Sequence, residues 1–349
     1  MGLSRRASHT VISYSAAISA CERGGQWQQA LSLLSEMREA MVELDVIICS
    51  AGISACEKGE QWQRALSLLS ETREAKVEPD VIICSAGISA CAKGERWQQA
   101  LSLLSGMSKV SLESNVMSYS AALSACAKGE QWQRALSLLS EMRRVKLEPT
   151  VISYGAGISA CAKGEQWQRA LSLLSEMRRA RLESDVVSYS DAISACAKGE
   201  QWQRALSLVS EMWKLRLKPN VISYSAGISA CEKGEQWQRA LSLLGEIWEA
   251  KVEPDVIICS AGISACAKGE QWQRALSLLS GMWEARMKPD AISYVAGITA
   301  CHKPGQWQQA LSLLGGMWEG RLEPTVTSAT TPESLRARME SSGSMHWRC

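Results

Sequence analysis

The stretch from Cys161 to Met177, CAKGEQWQRALSLLSEM, decides how the whole chain is read. Trp167, Ala170, Leu171, Leu174 and Met177 recur at spacings of three and four, so they share one face of a helix. Gln168, Arg169, Ser172 and Glu176 take the other face. A helix this short does not bury its stripe alone and needs a similar neighbour.

Near-copies supply that neighbour. Trp27, Trp62, Trp97, Trp132, Trp167, Trp202, Trp237, Trp272 and Trp307 stand 35 residues apart. Cys21, Cys56, Cys91, Cys126, Cys161, Cys196, Cys231, Cys266 and Cys301 keep the same step. Nine complete units run from Val11 to Thr325, between an extension of residues 1–10 and a segment of residues 326–349. A period of this length means stacked helical repeats and overrides a domain count taken from length. The expectation is one elongated all-α solenoid of helix-turn-helix repeats.

Net charge is +2, so bulk electrostatics do not announce a nucleic-acid binder, although a local stripe still can. The 13 cysteines do not form a disulfide framework or a metal site. Equivalent atoms in stacked repeats lie about 9–10 Å apart, and a disulfide needs Cα atoms within about 7 Å. No CxxC pair or His cluster is present, so the Cys ladder reads as small buried apolar residues. No apolar run reaches the length of a membrane span. Met1 to Thr10 lacks the apolar centre of a secretory signal and is short for a transit peptide.

The unit from Val151 to Asp185 reads as two helices and two turns. Ser153 is a candidate N-cap, and Tyr154, Ile158 and Cys161 form a narrow apolar face. Gly164 is expected to end the first helix as a left-handed cap, and Gln166 to open a second that runs to about Arg179. Arg181 to Asp185 links to the next unit; six other units carry Pro there, as in Glu78-Pro79-Asp80. The seventh residue of the unit is Gly six times, at Gly52, Gly87, Gly157, Gly227, Gly262 and Gly297, and Ala three times. Mid-helix Gly costs roughly 1 kcal/mol against Ala, so either backbones approach closely there or copying fixed a tolerable residue.

The Trp that heads each second helix reads as a packing residue or as a base-stacking platform. Trp213, Trp248, Trp283 and Trp318 share one later position of the last four units and read as contacts between turns or as an apolar partner patch. Beyond Thr325, Thr331-Pro332-Glu333 opens a short expected capping helix to about Met339, followed by a disordered tail from Ser341.

The pattern VxSYxxxI…CxKGxxWxxALxLxxxM…xPD, seen from Val221-Ile222-Ser223-Tyr224 to Pro254-Asp255, resembles the pentatricopeptide repeat family, as a P-type array covering about nine-tenths of the chain. Gly or Ala where that family often has Leu in the first helix is a departure. The resemblance implies a right-handed superhelical solenoid that binds single-stranded RNA, one base per unit, and acts in organelle RNA processing, stability, editing or translation. It implies a plastid or mitochondrial location and a recruited RNA-processing protein as a further partner. Base reading falls by resemblance to the fifth and last residues of a unit. These pairs are Ser15 with Asp45, Ser50 with Asp80, Ser85 with Asn115, Ser120 with Thr150, and Gly155 with Asp185. The series continues with Ser190 and Asn220, Ser225 and Asp255, Ser260 and Asp290, and Val295 and Thr325.

A carboxylate accepts from the N–H donors of guanine, and a carboxamide suits adenine. The implied target is therefore purine-rich, G-G-A-purine-(G)-A-G-G-any. Helix capping is the other reading of the closing Asp, Asn and Thr residues, and both can hold together.

The second residue of each unit is apolar: Ile12, Ile47, Ile82, Met117, Ile152, Val187, Ile222, Ile257 and Ile292. In the family it sandwiches bases; core packing is the alternative. A third ladder, Arg23, Lys58, Lys93, Lys128, Lys163, Lys198, Lys233, Lys268 and Lys303, either tracks a phosphate backbone or complements helix dipoles. His9, His302 and His346 are scattered, and neither a deaminase motif nor a phosphate loop is present, so no enzyme, metal or cofactor is expected. The runner-up is a tetratricopeptide-like protein scaffold, which needs neither a polar residue closing each unit nor a basic ladder in register with it.

Overall fold

A computed structural model describes residues 2–40, 45–75, 80–109, 112, 114–250, 252–302 and 306–319. Lys303, Thr325, the expected helix from Thr331 to Met339 and the tail from Ser341 lie outside the described residues, as does the Trp318 side chain. The described residues hold 18 helices and no strand. The first helices of the pairs are α1 (Gly2–Arg23), α3 (Val46–Lys58), α5 (Val81–Lys93), α7 (Val116–Lys128), α9 (Val151–Lys163), α11 (Val186–Lys198), α13 (Val221–Lys233), α15 (Val256–Lys268) and α17 (Ala291–Ala300). The second helices are α2 (Trp27–Glu39), α4 (Trp62–Glu74), α6 (Trp97–Lys109), α8 (Trp132–Arg144), α10 (Trp167–Arg179), α12 (Trp202–Lys214), α14 (Trp237–Glu249), α16 (Trp272–Glu284) and α18 (Trp307–Glu319). This is the all-α helix-pair repeat that the 35-residue step requires. The helix that begins the first pair starts at Gly2, so residues 2–10 extend it.

The chain divides into two compact units, Met1–Gly199 and Glu200–Cys349. Within each, every first helix packs on the next first helix, as α3 on α5 and α13 on α15. Inside a compact unit a second helix packs on its own partner and on the first helix that follows, as α4 does on α3 and α5 and α14 on α13 and α15. The first helices therefore form an inner layer and the second helices an outer one. Ala170, Leu174 and Met177 of α10 are buried, as are Ile158 and Cys161 of α9, so the core is the seam between the layers.

Two turn expectations are corrected. Ser153 is not the N-cap of α9. Thr150 is extended (φ −93, ψ 176) and its side chain accepts from Ser153 N–H, while the Ser153 hydroxyl answers the Thr150 backbone, a reciprocal capping box. Gly164 is not left-handed, with φ −81 and ψ 10. The left-handed residue is Glu165, at φ 60. Gln166 N–H donates to Cys161 O at 2.8 Å and Glu165 N–H to Ala162 O at 3.4 Å, which is a Schellman motif with its left-handed position one residue later. The same motif closes α8, where Lys146 is left-handed (φ 60) and Leu147 N–H donates to Met142 O at 2.9 Å.

The glycines have a different use. A Cβ on Gly164 would lie 2.2 Å from Cδ1 of Trp132. The same contact recurs between Gly59 and Trp27, Gly94 and Trp62, and Gly269 and Trp237. The Trp residues that head the outer helices from Trp27 to Trp237 therefore lie on the glycine that ends the next inner helix. The seventh-position glycines admit leucine side chains, not neighbouring backbone: a Cβ on Gly157 would lie 2.7 Å from Leu139 Cδ1, and one on Gly262 2.5 Å from Leu244 Cδ1. The far end of a leucine can shift, which explains why Ala122 and Ala192 are accepted at that position.

Candidate nucleic-acid interface

Ile82, Ser85 and Lys93 follow one another at i, i+3 and i+11 on α5, which sets them on a single helix face. The same register repeats on the other inner helices, Lys303 lying outside the described residues, so within each compact unit the second, fifth and thirteenth residues form three parallel rows. The second-position row is not core. Ile12, Ile47, Ile82, Met117, Ile152 and Val187 in the first compact unit, and Ile222, Ile257 and Ile292 in the second, are 57–67% exposed.

The closing residues that the structure describes, Asp45 to Asp290, all cap helices. Asp45, Asp80, Asp185, Asp255 and Asp290 each accept the N–H three residues on at 2.8 Å. Asn115 and Asn220 do so at 2.9 Å, and Thr150 at 3.4 Å. Capping uses one oxygen. An aspartate keeps a second acceptor. Because only oxygen can receive the N–H, each capping asparagine takes it on Oδ1, and its Nδ2 donor plays no part in the cap.

The structure brings several fifth and last residues together. Ser260 Oγ donates to Asp290 Oδ1 at 3.1 Å, and Ser293 Oγ, 2.7 Å from Ser260 Oγ, donates to the same oxygen. Ser85 reaches Asn115 through Ser118, and Ser120 reaches Thr150 through Ser153, with Oγ–Oγ distances of 2.7 and 2.9 Å at the first step. Ser85, Ser120 and Ser260 are buried between adjacent inner helices, and Ser190 is buried as well. Ser15, Ser50 and Ser225 are half-buried; the third residue of the unit after each is Ile48, Ile83 or Ile258, with no hydroxyl to bridge. Gly155 and Val295 are half-buried and carry no polar side-chain group. These third-position serines were missed from sequence. Their signal is that Ser occurs there with a following Tyr, and Ile with a following Cys.

The cationic row is tied to the turn before it. Lys58 Nζ donates to Glu22 O at 3.2 Å and Lys93 Nζ to Glu57 O at 3.0 Å. Lys128, Lys163 and Lys198 reach the backbone oxygens of Lys93, Lys128 and Lys163 at 3.4, 3.5 and 3.5 Å. Lys268 reaches Glu232 O at 3.4 Å. All six, with Arg23 and Lys233, remain exposed. The lysines thus complement helix C-termini while keeping solvent access.

Trp62, Trp97, Trp132 and Trp237, which head outer helices, are half-buried, with Gly on one side and Arg on another. Arg96, Arg134, Arg169 and Arg274 lie 4.5, 5.0, 5.3 and 4.8 Å from the rings of Trp62, Trp97, Trp132 and Trp237. The later row differs: Trp213, Trp248 and Trp283 are 44–56% exposed on the outer helices, and a pocket of about 300 Å³ opens beside Trp213 and Glu246. Burial pushes the thiols of Cys56, Cys91, Cys126 and Cys161 up to about 11. Among the described residues no group of His, Cys, Asp and Glu is arranged to hold a metal, and no helix is long and apolar enough to cross a membrane.

The pentatricopeptide repeat domain model matches residues 32–94, 102–164 and 172–233, more than half of the chain, and the PPR repeat model matches 12–42 and 152–182. The chain belongs to the pentatricopeptide repeat family. No curated protein matches this pentatricopeptide repeat chain. Its fold is similar to that of the pentatricopeptide repeat protein PPR10 in complex with an 18-nt psaJ RNA element, at TM-score 0.53 and 17% identity over 93% of this chain and 57% of that one. It is also similar to PPR10 from maize, at TM-score 0.52 and 17% identity over 93% of this chain and 56% of that one. The pentatricopeptide repeat array described here thus spans little more than half the length of PPR10, and the likeness is one of fold.

Proposed function

We propose that this pentatricopeptide repeat chain binds single-stranded, purine-rich RNA along its inner-helix face, without chemistry of its own, in the processing, stability, editing or translation of a plastid or mitochondrial transcript. The observation that carries the reading is the exposed second-position row from Ile12 to Ile292. Nine large apolar side chains held out of the core at one position of every unit have no packing role, and they suit insertion between unstacked bases. The caps supply polarity beside them. The second oxygen of Asp45, Asp80, Asp255 or Asp290 accepts from guanine N1–H and N2–H, and the Nδ2 of Asn115, which its cap does not use, donates to adenine N1. The exposed lysines lie in register with both. The family membership and the RNA bound by PPR10 support the same reading.

The test is binding to GGAAGAGGA against a pyrimidine-rich strand over a salt series. Tighter, salt-sensitive binding to the purine strand is expected, and Asp80→Asn is expected to move the preference at the second base from G to A. Equal weak binding to both strands overturns sequence reading. A second reading, a tetratricopeptide-like scaffold for a protein such as an RNA-processing partner, rests on the half-exposed Trp213, Trp248 and Trp283 of the outer layer. Trp248→Ala with Trp283→Ala separates the two, because RNA binding by the inner face survives that change.

A further inference from the structure

The cationic row is uniform in sequence and not in charge environment. The residue before each of its members, the twelfth of the unit, is Glu at Glu22, Glu57 and Glu232, Ala at Ala92, Ala127, Ala162, Ala197 and Ala267, and His at His302. Because Lys58, Lys93, Lys128, Lys163, Lys198 and Lys268 reach back across one repeat, the twelfth residue of the preceding repeat stands beside the lysine that follows it. Lys58 Nζ lies 3.0 Å from Glu22 Oε1, Lys93 Nζ 3.7 Å from Glu57 Oε1, and Lys268 Nζ 3.3 Å from Glu232 Oε1. Lys128, Lys163 and Lys198 follow Ala92, Ala127 and Ala162. Each has only a backbone oxygen at 3.4–3.5 Å, and among the described residues no carboxylate lies within ion-pair distance of them.

One further acid modulates this run. Asp191 stands at the sixth position of its unit, where every other unit has Ala. Burial pushes its carboxyl up, while a hydrogen bond with Ser159 and the charge of Lys163 pull it down. The charge of Asp191 therefore offsets part of that of Lys163, and Lys128 and Lys198 are the lysines of this run without such an acid.

We infer that the twelfth residue of each unit sets how strongly the next unit grips a phosphate: Glu22, Glu57 and Glu232 pre-empt Lys58, Lys93 and Lys268, and Ala92 and Ala162 leave Lys128 and Lys198 as the strong phosphate contacts. This rests on the RNA-binding reading above. The physical reason is counterion release. A lysine that neutralises a phosphate frees the cation condensed on it and contributes about 0.7 to the salt slope of single-strand binding, whereas a lysine already paired with a glutamate must give up that pair first and gains little.

The chain already carries both Glu and Ala at this position, so the exchange between them is a mild test. Glu57→Ala releases Lys93, and Ala162→Glu engages Lys198. Affinity for the purine strand is measured from 50 to 200 mM salt, with far-UV circular dichroism and thermal melts as the folding control. Glu57→Ala is expected to steepen the slope of log K against log salt by up to about 0.7 and tighten binding about two- to three-fold at the low-salt end, and Ala162→Glu to do the reverse. Lys198→Ala is expected to lower the slope more than Lys93→Ala. RNA binding with the same slope in wild type, Glu57→Ala and Ala162→Glu overturns this inference and leaves RNA binding standing. No binding to either strand by folded wild type overturns both.

Discussion

Ser188 Oγ is buried without a hydrogen-bond partner, and a Cβ built on Gly155 would lie 3.4 Å from it. In the corresponding places Ser85 meets Ser118 and Ser120 meets Ser153. Gly155 leaves the same seam one hydroxyl short. Gly155→Ser is expected to raise stability by about 1 kcal/mol, from a restored hydrogen bond and a better helix former. Urea unfolding reads the gain, and adding Ser188→Ala is expected to remove the hydrogen-bond part of it. A destabilised Gly155→Ser protein contradicts the geometry.

The Trp132–Gly164 contact predicts a coupled pair. Gly164 has an ordinary negative φ, so Ala there costs only through its collision with the indole. Gly164→Ala is expected to destabilise by about 1–3 kcal/mol. In a Trp132→Ala background the collision is gone, and the same substitution is expected to be neutral or stabilising. A double-mutant cycle measures the coupling, and additive effects count against the contact.

Ile82 and Ile152 are 62% and 66% exposed. Changing either to Ala is expected to leave stability within about 0.5 kcal/mol of wild type. Loss of apolar contact with bases is expected to weaken RNA binding about five-fold each. Thermal melts beside a binding titration check both halves. A large loss of stability returns the row to the core.

The buried thiols make stability fall in alkali. Burial raises Cys91, Cys126, Cys161 and Cys231 from an ordinary value near 9 to about 11. The folded chain therefore holds these protons where the unfolded chain has lost them. Their contribution is fully present below pH 9 and is lost as pH rises toward 11. Urea midpoints are expected to drop across that window. Thiol reagents at pH 7 are expected to modify these cysteines only as fast as the array opens.

The turns and the rows show how far sequence reasoning reached. Trp132 and Trp167, one period apart on amphipathic helices, are enough to require paired helices, because spacing alone decides which residues share a face. The closing Asp, Asn and Thr residues were legible as caps for the same local reason. Ser153 was misplaced by three residues and Gly164 by one, since cap position depends on φ and ψ that neighbouring residues share.

What the sequence by itself determined was the period, the helix pairs, the apolar stripes and the register of the three inner rows. All of these are consequences of covalent order and helical geometry. What only the tertiary structure decided was which groups meet across one repeat. It held Ile82 out of the core, laid Trp132 on Gly164, set Ser260 against Asp290 and Ser293, and paired Glu57 with Lys93 while leaving Lys128 without a carboxylate. Those contacts join residues about 30 to 36 positions apart. Their existence depends on how one helix pair is rotated onto the next, a packing result that no local pattern encodes.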